Sequence, residues 1–213
     1  MNFLRITEIF YSLQGESNTV GIPTVFIRLT GCPLRCTYCD TAYAFTGGEK
    51  VAITDIIAQV AEYGTKYVTV TGGEPLAQVG CIELIKQLLD NGFAVSLETS
   101  GALDVSKVDA RAIKVLDFKT PSSGELSKNL YQNIDFLKLQ DQIKFVIGND
   151  EDYEWSKELM VKHKLYDVCE ILFSPVMGLQ NPTELAEKIL RDRLQVRFQI
   201  QLHKLLWDNA QGK

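Results

Sequence analysis

At 213 residues and 46% apolar content, the chain is long enough for one ordinary globular core, and one domain over residues 1–213 is expected. A net charge of −5, a pI near 5.2 and the lack of any dense Lys/Arg run argue against direct nucleic-acid binding. No apolar run reaches the roughly 18 residues that span a bilayer, and Met1-Asn2-Phe3-Leu4-Arg5 is not the start of an export signal. Five cysteines, an odd number, fit a reducing cytoplasm better than a disulfide framework. In chain order, Thr24 to Leu29 is a β-rich run that leads into a cysteine loop. Ile53, Ile56, Ile57 and Val60 then recur at helical spacing. Tyr67 to Thr71 reads as a strand bounded by Gly72-Gly73. Ile82, Ile85, Leu88 and Leu89 mark a helix that Asn91-Gly92 stops with a left-handed cap. Further strands are predicted at Phe93 to Thr99, Ala112 to Phe118, Gln142 to Ile147, Glu170 to Phe173 and Val196 to Leu202. Helices from Glu151 to Lys164 and Pro182 to Asp192 separate the last three.

Short apolar strands alternating with amphipathic helices predict parallel pairing through right-handed crossovers. Chemistry in such folds gathers at the carboxyl ends of the strands. Polar, glycine-containing segments recur there: Thr30 to Asp40, Thr71 to Pro75, Glu98 to Gly101, Lys119 to Gly124 and Ser174 to Gly178.

The most specific signal is Cys32, Cys36 and Cys39 within Gly31-Cys32-Pro33-Leu34-Arg35-Cys36-Thr37-Tyr38-Cys39-Asp40. Structural zinc wants a closed set of four ligands. Three soft thiolates on one loop suit a four-iron cluster with one iron left open for chemistry. A zinc site completed from a distance by His163, His203 or Cys169 stays open on these residues alone, as does a non-catalytic iron–sulfur module. Cys81 and Cys169 read as ordinary buried thiols.

The spacing Cys32-x3-Cys36-x2-Cys39, with Tyr38 before the last cysteine, resembles the signature of radical S-adenosylmethionine (SAM) enzymes. Thr71-Gly72-Gly73-Glu74-Pro75 is similar to the segment with which they hold the methionine amino group, where paired glycines let backbone approach a ligand. Five further stretches resemble the 7-carboxy-7-deazaguanine synthase family: Phe10 to Ser17, Phe26 to Cys32, Cys39 to Thr41, Asp117 to Ser122 and Gln201 to Lys204. Glycyl-radical activases share the first two motifs but lack the Gln-Gly-Glu start, and remain the alternative enzyme reading.

The resemblance implies an α/β fold, a partial, trimmed (β/α)6 radical-SAM barrel with mostly parallel strands. It implies a [4Fe–4S] cluster on Cys32, Cys36 and Cys39, SAM, and Mg2+ with Thr41 as an oxygen ligand. The implied reaction converts 6-carboxy-5,6,7,8-tetrahydropterin to 7-carboxy-7-deazaguanine with loss of ammonia, on the route to queuosine. Leu13, Gln14, Gly15, Glu16, Arg28, Thr71 and His203 are the implied substrate contacts. Arg28 suits a carboxylate because a guanidinium forks bidentately. Tyr38, Cys39, Asp40, Gly73, Thr120, Pro121, Ser122, Ser174, Pro175 and Val176 are the implied SAM contacts. The family often reads Ser-Pro-Lys where this chain has Thr120-Pro121-Ser122. A flavodoxin-like or ferredoxin-like electron donor and a homodimer complete the expectation.

Overall fold

The computed structural model of the chain describes residues 2–208 and 210–212. In chain order the elements are β1 (Phe3–Leu13), β2 (Pro23–Leu29), β3 (Glu49–Ala52), α1 (Ile53–Glu62), β4 (Tyr67–Gly72), α2 (Cys81–Asp90), β5 (Ala94–Thr99) and β6 (Ile113–Phe118). Then follow β7 (Gln142–Ile147), α3 (Asp150–Lys162), β8 (Glu170–Pro175), α4 (Pro182–Arg191), β9 (Arg197–Phe198) and α5 (Leu202–Trp207). The strands make one sheet in the order β3-β1-β2-β4-β5-β6-β7-β8-β9. Every neighbouring pair from β2 to β9 is parallel. Only β1 runs against its neighbours, β2 and β3.

The trimming lies in the crossovers. No α-helix links β5 to β6, and short 3-10 turns, the longest at Tyr131–Phe136, replace one between β6 and β7. The remaining helices follow their sequence signals. Asn149 caps α3 by accepting from Asp152 N at 2.9 Å. Asn181 caps α4, with Pro182 at the first position, where its missing N–H costs nothing. Gly92, at φ 87°, forms the left-handed stop expected after α2.

Strand alternation sorts the sheet into two faces. Val68, Val70, Leu97, Leu116, Phe145 and Phe173 belong to the buried core shared with Ile56 of α1, Leu84 of α2, Met160 of α3 and Leu185 of α4. The alternate positions, among them Arg28, Thr71, Glu98, Asp117 and Lys144, face a cavity instead. A polar row on one side of otherwise apolar parallel strands is the pattern of a site rather than of a core.

Two expectations change. The strand predicted at Val196 to Leu202 pairs only over Arg197–Phe198. Beyond it, Gln199 turns its side chain to accept from Ser17 N at 3.0 Å, and the chain enters α5 at Leu202. The predicted elements include neither β1, nor the short β3, nor the helix α5. The register irregularity in β1 falls between Ile6 and Glu8. Among the described residues, no helix is long and apolar enough to cross a membrane.

Candidate active site

A cavity of about 670 Å³ opens at the carboxyl ends of the parallel strands, within the size range of small-molecule sites. Cys32, Cys36 and Cys39 lie on one wall of it, all three as half-buried free thiols. The loop that carries them is pinned from several sides. Leu34 is plugged into the interior, and the Arg35 guanidinium lies 4.2 Å from the Phe45 ring centroid while donating to Cys32 O at 2.8 Å. Thr37 donates from N to Ser123 O at 3.0 Å and from its hydroxyl to Ser122 O at 2.8 Å.

The loop after β4 closes onto the cysteines. Glu74 N donates to Gly31 O at 2.8 Å, and a Cβ on Gly73 would run into Gly31 O and lie 2.7 Å from Cys32 Cβ. Glycine at 73 is therefore a condition of this approach. Glu74 is fully buried and faces away from the thiols' chemistry. It accepts from Leu76 N at 3.0 Å, Thr99 Oγ1 at 2.9 Å, and Ser100 N and Oγ at 2.7 and 2.5 Å.

The donor set fits a cluster. Burial raises the Cys32 thiol, and it pushes Cys36 up to about 11 against the opposing pull of Lys119. Such thiols stay protonated at neutral pH until a cation takes the proton's place. Among the described residues, no three His, Cys, Asp or Glu side chains are placed to share one metal ion. Thiolates on the corners of a cluster each bind a separate iron, and three soft donors on one loop supply that set. Of the distant zinc candidates, His163 stacks on Tyr131 at 5.4 Å and Cys169 lines a separate cleft with Glu170 and Arg197. His203 does reach the cavity.

The remaining wall is polar. Gln14 Nε2 donates to Thr69 Oγ1 at 3.0 Å and to Glu98 Oε1 at 3.2 Å, and Thr71 Oγ1 donates to Glu98 Oε2 at 3.1 Å. Burial and the charge of Glu16 raise Glu98 above the usual carboxylate range. Arg28 Nε donates to Glu8 Oε1 at 2.6 Å, and Tyr43 OH donates to the same oxygen at 2.7 Å. With Nε taken, the terminal nitrogens of Arg28 remain to meet a ligand. His203 packs on Gly15 so closely that a Cβ there would lie inside the imidazole. Leu202 N donates to Gly15 O at 3.0 Å, and Lys204 Nζ pairs with Asp40 at 2.7 Å, so α5 ties the first strand's end to the cysteine loop. Burial lowers His203, which favours the neutral imidazole.

Leu13, Gln14, Glu16, Arg28, Thr71 and His203 all line this cavity, with Gly15 behind His203. Tyr38, Cys39, Asp40, Thr41 and Gly73 line it too. Burial pushes Tyr38 up to about 12, and its hydroxyl lies 3.3 Å from Thr120 Oγ1. Thr41 Oγ1 donates to Asp40 Oδ1 at 2.9 Å, leaving its lone pairs open. Thr120, Pro121 and Ser122 are not in the cavity wall. Thr120 donates to Val146 O at 3.0 Å, and Ser122 N donates to Asp152 Oδ1 at 2.8 Å. Ser174 and Pro175 are buried beneath the wall, and only Val176 of that segment reaches it. Glu8 and Lys144 lie outside every motif quoted above, while Asp117, Lys119 and Lys204 lie within motifs but were given no role. The signal was available for Lys144: a charge between Ile143 and Phe145 in an apolar strand needs a partner.

Three free thiols after the first parallel strand, a glycine pair after the second and a polar face beyond define a radical SAM protein. The Radical SAM superfamily model matches residues 26–120. Two curated 7-carboxy-7-deazaguanine synthases are similar over almost the whole chain. That of Chlorobaculum tepidum is 44% identical, covering 98% of this chain and 97% of its own. That of Koribacter versatilis is 39% identical, covering 96% and 97%. The crystal structure of QueE from Escherichia coli matches with a TM-score of 0.78 at 26% identity, covering 94% of this chain and 95% of that one. The chain belongs to the 7-carboxy-7-deazaguanine synthase family.

Proposed function

We propose that the protein is a radical SAM lyase that converts 6-carboxy-5,6,7,8-tetrahydropterin to 7-carboxy-7-deazaguanine and ammonia. The observation that carries this reading is one cavity in which a three-thiol loop faces a wall with Arg28, Gln14 and Glu16. Cys32, Cys36 and Cys39 would hold the four-iron cluster. Gly73, Tyr38, Cys39, Asp40 and Val176 would meet SAM, with Thr120, Pro121, Ser122, Ser174 and Pro175 supporting from behind. When bound, cluster and SAM would supply the one-electron chemistry that removes hydrogen from C6 of the substrate.

The chain's own residues position and enclose the pterin. Arg28 takes the substrate carboxylate on its terminal nitrogens, because Glu8 already occupies Nε. Leu13, Gln14, Gly15, Glu16, Thr71 and His203 frame the ring. Thr41 would offer its hydroxyl oxygen to Mg2+, the oxygen chemistry a hard cation prefers. Phe10, Phe26 and Leu34 give the cavity apolar sides that exclude water from the radical. The protein works as one domain, in the cytoplasm, as a homodimer, and takes electrons from a flavodoxin-like or ferredoxin-like donor.

The test is anaerobic incubation of the reconstituted protein with SAM, a reductant and carboxytetrahydropterin, with products read by mass. The expected outcome is 7-carboxy-7-deazaguanine with SAM regenerated over many turnovers. Cleavage of SAM without change in the pterin would overturn the assignment of substrate.

A further inference from the structure

We propose that Lys144 is a positioning residue for substrate recognition, holding Glu16 so that its free carboxylate oxygen accepts an N–H of the exocyclic amine on the aminopyrimidinone edge of the pterin. The inference rests on the pterin reading above and adds a residue that no motif marks. Lys144 stands in mid-β7 between Ile143 and Phe145, both fully buried on the helix-covered face, so alternation turns it toward the cavity. Its Nζ lies 2.5 Å from Glu16 Oε2 and 3.7 Å from Asp117 Oδ2, and its side chain is only 12% exposed.

Burial by itself pulls a lysine's pKa down. Here Glu16, Asp117 and Glu98 more than offset it, so the ammonium is held above the ordinary lysine range and stays charged. Glu16 is fixed from both ends: its N–H donates to Gln14 Oε1 at 3.2 Å, and its Oε2 is taken by Lys144. The other oxygen, Oε1, is buried and has no partner among the described residues. A buried carboxylate oxygen left without a donor is unfavourable. Glu16 lines the cavity, so a ligand's N–H can complete it there.

The charges around the cavity then fix which end of the substrate goes where. Arg28 is a cation whose terminal nitrogens are open, and it suits the substrate's carboxylate. Glu16 is an anion with one oxygen open, and it suits the guanidine-like edge made by the ring N–H and the exocyclic amine. The ammonium of Lys144 keeps that oxygen aimed by holding its twin. Asp117 repeats the pattern, with Oδ2 toward Lys119 at 3.2 Å and Oδ1 unpartnered.

The experiment compares wild type, Lys144→Met and Lys144→Arg, each with its cluster spectrum taken as proof of a folded, loaded protein. Pterin affinity is measured by anaerobic calorimetry alongside kcat and KM. Lys144→Met is expected to weaken Kd and KM roughly 10- to 100-fold, the loss of a charge-assisted contact, while kcat falls far less. Lys144→Arg restores most of the affinity. With a carboxytetrahydropterin analogue lacking the exocyclic amine, the penalty of Lys144→Met shrinks, because the contact it supports is already missing. Unchanged Kd in Lys144→Met, or an equal penalty on both pterins, overturns the role. If Lys144→Met does not fold, Glu16→Gln is read in the same way on the same two pterins. Failure of the wild type to turn over carboxytetrahydropterin would strike the proposed activity, whereas a normal wild type beside an unaffected Lys144→Met strikes only this inference.

Discussion

Two lysines on adjacent strands show how the same residue type serves two purposes. Lys114, the second residue of β6, points into the helix-covered core and is 2% exposed, with its Nζ 2.8 Å from Asp141 Oδ2. That aspartate also accepts Lys114 N and Lys138 N, each at 2.8 Å, so both its oxygens are occupied. Lys144 on β7 faces the cavity, and both carboxylates near it keep one oxygen open. A closed pair of this kind holds two chain segments together and offers nothing to a ligand. An open pair is incomplete until something binds.

The same contrast divides the cysteines, where the largest effect is expected. Cys32→Ala, Cys36→Ala and Cys39→Ala should each abolish cluster assembly and activity, read as iron and sulfide content and visible absorbance. Cys81→Ala and Cys169→Ala, at thiols buried away from the cavity, should keep both. A full cluster in Cys36→Ala would break the distinction. Next comes Asp141→Ala, which leaves the Lys114 charge buried and alone and should lower unfolding stability by about 3–5 kcal/mol. Denaturant melts check this, and the surviving folded enzyme should retain the wild-type KM for the pterin.

Arg28→Ala probes the open side. It should still cleave SAM slowly but lose carboxylated product roughly a hundredfold, since the substrate charge loses its fork. Unchanged kinetics on the carboxylated pterin would return Arg28 to the closed class, as a mere partner of Glu8. The smallest effect is expected at Thr41. Thr41→Val keeps the shape without the oxygen, and should blunt the response of product formation to added Mg2+ by about tenfold. Equal yields with and without Mg2+ in metal-stripped wild type would remove the ion from the scheme.

The sequence made the parallel core and the cysteine loop legible because both rest on local pattern. Strand and helix periodicities place β4, β5, α2 and β7 within a residue or two. Pairing partners are another matter. Glu49–Ala52 carries no apolar alternation, and β3 exists because β1 offers it an edge. Val196 to Ile200 alternates like a strand, yet β8 holds it over two residues only, and Leu202–Trp207 turns helical beside Gly15. For the site, motif residues such as Gln14, Arg28 and Gly73 were readable. Lys144 was readable only as a charge in need of a partner, because that partner, Glu16, is 128 residues away in the chain. The Thr120 and Ser174 segments follow the expected strands, but Thr120, Ser174 and Pro175 are buried behind the cavity lining, a depth that local pattern does not carry.

The four-fold anchoring of Glu74 has a thermodynamic consequence. Its carboxylate fastens the Gly72-Gly73 turn to the end of β5 through Leu76, Thr99 and Ser100, with no ligand needed. Part of the entropy of ordering a binding loop is therefore lost during folding rather than on association. Backbone amides of Gly73, Glu74 and Leu76 should exchange slowly with deuterium in the cofactor-free protein and change little when SAM is added. Glu74→Gln would shift that ordering cost to the binding step, so the association should become more enthalpic and more unfavourable in entropy while the cavity keeps its shape.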